Sequence, residues 1–69
     1  MNQIGPSIRR LREENQWTQE QLTARCHLIG WDISRGTLAK MESRVRRITD
    51  IEISLIAQAL NVSIQQLFE

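Results

Sequence analysis

Apolar side chains recur along this chain at the three- and four-residue intervals that line one face of a helix. Ile8 and Leu11 follow Pro6, which suits the first turn of a helix, with Gly5 before it as the cap; a first helix is predicted from about Pro6 to Asn15. Thr18 with Gln21 three residues later is a capping box, in which each side chain satisfies an orphan amide, so a second helix starts there. Leu22, Cys26 and Ile29 form its apolar stripe, and Gly30, which tolerates positive φ, closes it near Ile29.

Ser34 caps a third helix, and Ile33 with Leu38 forms a hydrophobic staple across its start. This helix covers about Arg35 to Ser43, with Leu38 and Met41 inward and Arg35, Gly36, Ala39 and Lys40 on other faces. Thr49 with Glu52 repeats the capping box, and Ile51, Leu55, Ile56, Ala59 and Leu60 trace a wide stripe along a fourth helix, about Asp50 to Leu60. Asn61 takes a left-handed closing position, and Ser63 caps a short terminal helix carrying Ile64, Leu67 and Phe68. The prediction is an all-α fold of five helices and no strands, a single domain over residues 1–69 without linker or repeat.

Composition narrows the function. No apolar run approaches the roughly 20 residues that span a bilayer, and the first residues lack a signal-peptide core, so a cytoplasmic protein without a membrane partner is expected. The lone Cys26 cannot form an internal disulfide, and with one histidine, His27, no metal site or cofactor is expected; both are read as structural or solvent-facing. No paired carboxylates, Cys-His or Ser-His arrangement suggests catalytic residues, and a core this small encloses no pocket for a small-molecule ligand.

Charge is informative by its distribution. Residues 1–33 balance four Arg against four acids, 34–47 hold five basic side chains against Glu42, and 48–69 hold three acids, giving 0, +4 and −3 within a net +1. The basic segment is either a phosphate-contacting surface or a solvated loop.

Four motifs then fall in a telling order: Ile8-Arg9-Arg10-Leu11-Arg12, Trp17-Thr18-Gln19-Glu20-Gln21-Leu22, Ile33-Ser34-Arg35-Gly36-Thr37-Leu38-Ala39-Lys40-Met41-Glu42, and Ala57-Gln58-Ala59-Leu60-Asn61-Val62-Ser63. Together they resemble the lambda repressor and Cro family of helix-turn-helix regulators, the XRE family, over nearly the whole chain. The resemblance implies a compact five-helix lambda-repressor-like domain that binds double-stranded DNA, with helix 35–43 in the major groove, whose width of about 12 Å matches a helix. It places Arg35, Gly36, Thr37 and Lys40 at base-facing positions, where Arg or Lys pairs with guanine and the Thr37 methyl meets a thymine methyl; alternatively Thr37 only supports the helix start.

By the same resemblance, Thr18, Gln19, Ser43, Arg44, Arg46 and Arg47 contact phosphates, and Gln19 also braces the recognition helix. For Arg46 and Arg47 the alternative is plain solvation. Arg12 and Glu42 are implied as an ion pair linking the first helix to the recognition helix. Ile64, Leu67 and Phe68 either extend a subunit interface or close the core of the monomer. The implied function is a sequence-specific transcriptional regulator, a repressor, acting as a homodimer on an inverted repeat. The competing reading is an antitoxin or anti-repressor-like module that holds a protein partner on the same scaffold.

The chain also departs from the family. The stretch from Leu22 to Ser34 is longer than usual, with Leu28-Ile29-Gly30-Trp31-Asp32 as the addition, which predicts an extra turn on the second helix and Trp31 packed over the junction with the third. Thr23 stands where Ala or Gly is usual. Gln16 and Arg44 stand where glycine is frequent; Asn15 is expected to take the left-handed position in place of Gln16, and the loop at Arg44 to have a different shape.

Overall fold

The structure, a computed structural model, describes residues 4–68. Five helices follow one another, α1 (Gly5–Glu14), α2 (Gln19–Leu28), α3 (Arg35–Glu42), α4 (Asp50–Leu60) and α5 (Ile64–Leu67), and no strand occurs among the described residues.

Side chains set the helix starts. Thr18 Oγ1 accepts from the Gln21 amide while Gln21 Oε1 accepts from the Thr18 amide, at 3.1 and 2.7 Å. Thr49 with Glu52 and Ser63 with Gln66 repeat this reciprocal pattern, and Ser34 Oγ accepts from the Thr37 amide. Each such cap contributes about 0.5–2 kcal/mol. The first helix differs from expectation: it begins at Gly5, with Ile4 in the cap position and no side-chain cap. Pro6 then lies inside the first turn, where its missing amide leaves one orphan donor fewer to satisfy.

Helices α1 to α4 share one closure. The amides of Trp17, Trp31, Val45 and Val62 bond back to the carbonyls of Arg12, Cys26, Lys40 and Ala57, at 3.1, 2.9, 3.0 and 3.0 Å. Each closure needs a left-handed residue just before that amide, and the four are Gln16, Gly30, Arg44 and Asn61, with φ of 61°, 87°, 69° and 59°. Gly30 and Asn61 are as predicted. Asn15 does not substitute for Gln16, because its Nδ2 donates to the Leu11 carbonyl at 2.8 Å and its backbone stays at φ −88°. Arg44 likewise adopts the glycine-like conformation itself, so the loop there keeps the shared closure.

The core draws on every helix: Ile8 and Leu11, Leu22 and Cys26, Leu38 and Met41, Ile56 and Leu60, and Leu67, with Ile33 from the connection before α3. In α4 the inward stripe is Ile53, Ile56, Ala57 and Leu60, spaced i, i+3, i+4, i+7, with Ala59 buried at its edge. Ile51, predicted inside, lies on nearly the opposite face of the helix and is 74% exposed. Ile29 is also partly exposed, because α2 has closed before reaching it. Helix α2 packs on α3 and α4, and α1 packs on both as well. Arg25 joins α2 to α4: its guanidinium lies 4.2 Å from the centre of the Trp17 ring, and its Nε donates to the Ala59 carbonyl at 2.7 Å. A cation there also opposes the negative end of the α4 dipole.

The lengthened connection is accommodated by running α2 to Leu28 before Gly30 turns the chain. Trp31 is half-buried against the core between α2 and α3, as the sequence suggested. His27 closes the segment by donating from Nε2 to the Ile33 carbonyl at 2.7 Å, just before the Ser34 cap. A buried thiol, Cys26, lies in the middle of α2, and burial pushes its pKa up to about 11.

Candidate nucleic-acid interface

Two hydrophobic side chains anchor α3 and leave the opposite face open. Leu38 and Met41 are fully buried, whereas Arg35, Gly36, Lys40 and Ser43 are exposed. Gly36, Lys40 and Ser43 fall at i, i+4 and i+7, so they share one outward face, with Ala39 beside them half-buried. Thr37 lies off that face, half-buried, with its Oγ1 accepting from Ser34 Oγ at 3.0 Å.

Gly36 has no internal explanation. A Cβ built there meets only Ser34 Oγ, at 3.9 Å, which is ordinary contact, and its φ is not positive. Glycine in a helix costs about 1 kcal/mol relative to alanine. The fold gains nothing for that cost, while a surface that must approach a partner closely would.

The underside of α3 is fixed by a buried ionic network. Arg12 Nε and Nη2 donate to Glu42 Oε2 and Oε1 at 2.8 and 3.1 Å, and Arg12 Nη1 donates to the Trp17 carbonyl at 2.7 Å. Both side chains are nearly inaccessible, and the hydrogen bond to Glu42, outweighing desolvation, holds the Arg12 guanidinium above its ordinary pKa. Gln19 Nε2 adds a third donor to Glu42, at 3.1 Å on Oε1, so the start of α2 grips the end of α3. Because Glu42 accepts only, the Gln19 amide orientation is set by chemistry. Thr23, one turn further along α2, is buried with Oγ1 donating to the Gln19 carbonyl at 2.7 Å, which accounts for its hydroxyl in a position where small residues are usual.

The basic side chains after α3 divide. Arg44 and Arg47 are exposed, but Arg46 is committed: Nη1 and Nη2 donate to Glu52 Oε1 and Oε2 at 2.8 and 2.7 Å. Hydrogen bonding to Arg46, more than the Thr49 amide, lowers the Glu52 pKa and outweighs its desolvation. The capping carboxylate of α4 thus also clamps the loop from α3. Arg35, Lys40 and Arg47 take part in no ion pair among the described residues. Thr18 uses its oxygen lone pair as the α2 cap.

At the C-terminus the three nominated side chains separate. Leu67 is 1% exposed and completes the core, while Ile64 and Phe68, one turn apart, are 46% and 66% exposed. The roles of Arg25, His27 and Glu52 were not legible as contacts in the sequence. The one available signal was the capping box, which marked Glu52 as an oriented carboxylate.

No helix among the described residues is long and apolar enough to cross a membrane. A helix-turn-helix family model matches residues 8–67, from the first core residue of α1 to the last of α5. Comparison with curated proteins and with solved structures finds no match. With its family match spanning all five helices and α3 exposed above a buried Arg12–Glu42 pair, the chain belongs to the lambda repressor-like, XRE-type helix-turn-helix family of DNA-binding regulators.

Proposed function

We propose that this chain is a transcriptional repressor that reads an operator with the exposed face of α3, as a two-fold dimer on an inverted repeat. The observation that carries the reading is Gly36, a helix residue with no internal need for glycine, on the same face as Lys40 and beside Arg35. Arg35 and Lys40 suit guanine O6 and N7, and Gly36 lets the backbone approach the base edges. Gln19, Thr18, Ser43, Arg44 and Arg47 supply phosphate contacts around it. In the dimer, Ile64 and Phe68 meet their counterparts across the two-fold axis, while Leu67 stays in its own core.

In vitro selection from a random duplex library, followed by anisotropy titration at several salt concentrations, tests this. An enriched inverted repeat whose affinity falls steeply with salt, and falls further for Arg35→Ala, supports it. Equilibrium sedimentation that finds one chain per half-length duplex and no dimer on the full site would remove the two-fold part.

A second reading has its own support. Leu28, Val45, Ile51 and Phe68 are exposed apolar side chains at 84%, 76%, 74% and 66%, and a protein partner that covered them would remove apolar surface from water. A protein-interaction module would explain them. It predicts no enrichment and weak, nonspecific duplex binding even at low salt.

A further inference from the structure

A polar recess of about 250 Å³ lies between the start of α2 and the flank of α3, lined by Arg9, Arg12, Gln19, Ala39, Glu42 and Ser43. Its walls are unevenly satisfied. Glu42 accepts from Arg12 on both oxygens and from Gln19 on one, so its charge and lone pairs are answered. Three of the five N–H groups of Arg12 are taken by Glu42 and the Trp17 carbonyl. What is left over is donor capacity. Gln19 has a second amide hydrogen, and Arg9 engages only Nε, with Glu13 Oε2 at 3.3 Å; its terminal nitrogens have no acceptor among the described residues.

Unclaimed donors on a recess wall suit an anion that only accepts. Ser43 belongs both to the recess and to the outward face of α3, so the recess opens beside the surface assigned to the major groove. We propose that it seats one phosphate of the DNA backbone, held by Arg9 from α1 and Gln19 from α2; this rests on the DNA-binding reading above. Arg9 is the new assignment. In the free chain Glu13 stands in for the phosphate: the pair is 65% and 55% exposed, the class of ion pair that contributes least to stability. On binding, Arg9 exchanges that single contact for a charge-assisted fork on the phosphate. Arg10, the next residue along, pairs with Glu14 outside the recess and makes no such exchange.

The test is anisotropy titration of the full chain on the enriched duplex and on a scrambled one, across salt concentrations, for Arg9→Gln, Arg10→Gln and Glu13→Gln. Arg9→Gln is expected to weaken both duplexes alike and to reduce the log–log salt slope by about 0.9, the value for one phosphate contact. Glu13→Gln is expected to tighten binding, because it frees Arg9. All three variants should melt as the wild type does, since the altered side chains are exposed. A wild-type slope retained by Arg9→Gln, or an equal loss in Arg10→Gln, overturns the assignment while leaving the DNA-binding reading intact. A wild-type chain whose duplex binding ignores salt overturns both.

Discussion

Gln16 and Arg44 hold left-handed backbone with side chains whose Cβ disfavours it by about 1–2 kcal/mol. The closures of α1 and α3 override that preference. Gln16 is exposed, so Gln16→Gly should relieve the strain at the cost of some unfolded-state entropy, for a net stabilisation of about 0.5–1 kcal/mol and a melting point several degrees higher. Thermal unfolding that shows no rise would mean the closure is not strained there. A second residue-scale effect concerns Cys26. Its thiol is raised by burial from 9.0 to about 11, above its unfolded value, so its contribution is fully present below pH 9.0 and is lost as pH rises through the folded value. That amounts to about 2–3 kcal/mol between those limits. The chain has no tyrosine to titrate alongside it. Urea unfolding at pH 8 and pH 11 should show this loss in the wild type and a much smaller one in Cys26→Ala; equal losses would remove the thiol as the cause.

Between elements, the Arg12–Glu42 pair ties α1 to α3, with Gln19 bringing in α2. Breaking a buried pair leaves an uncompensated charge and costs about 3–5 kcal/mol, whereas replacing both partners by apolar groups is often close to neutral. Urea unfolding should therefore find Arg12→Met strongly destabilised and Arg12→Met/Glu42→Leu substantially recovered; simple additivity would show that the pair does not act as a unit. Helix starts were legible because Thr18, Ser34, Thr49 and Ser63 act on amides within three residues, a local chemistry written in the sequence. Helix ends were less so. At Gln16 and Arg44 the backbone bond from Trp17 to Arg12 and from Val45 to Lys40 decides the conformation, and no residue preference announces it. In the α4 stripe Ile56, Ala59 and Leu60 are buried as read, whereas Ile51 and Leu55 were misassigned because they are as apolar as the residues that point inward; only packing against α2 and α5 selects Ile53 and Ala57 beside the other three. Of the interface, the exposed face of α3 was readable from spacing. The engagement of Arg46 was not, because Glu52 already had a complete local role as a cap and its second oxygen gave no sign of use.

For the whole molecule, charge and shape are arranged around α3. The segment of +4 includes α3 and the loop after it, while residues 48–69, which contain α4 and α5, carry −3. Pairing of Arg46 with Glu52 joins the two segments and leaves Arg35, Lys40 and Arg47 as exposed cations outside any ion pair among the described residues. A molecule of net +1 with five of its nine cations in residues 34–47 can be steered onto a polyanion without being sticky overall. On the proposed reading the Gly36 face of α3 approaches the bases, and Gly36→Ala separates that approach from any effect on folding alone. Alanine fits the space, so the variant should be more stable by about 0.5–1 kcal/mol. Anisotropy titration of that variant on the enriched duplex is predicted to show at least tenfold weaker binding despite the added stability. Binding equal to or tighter than wild type would contradict the claim, since the methyl would then have met nothing on the DNA.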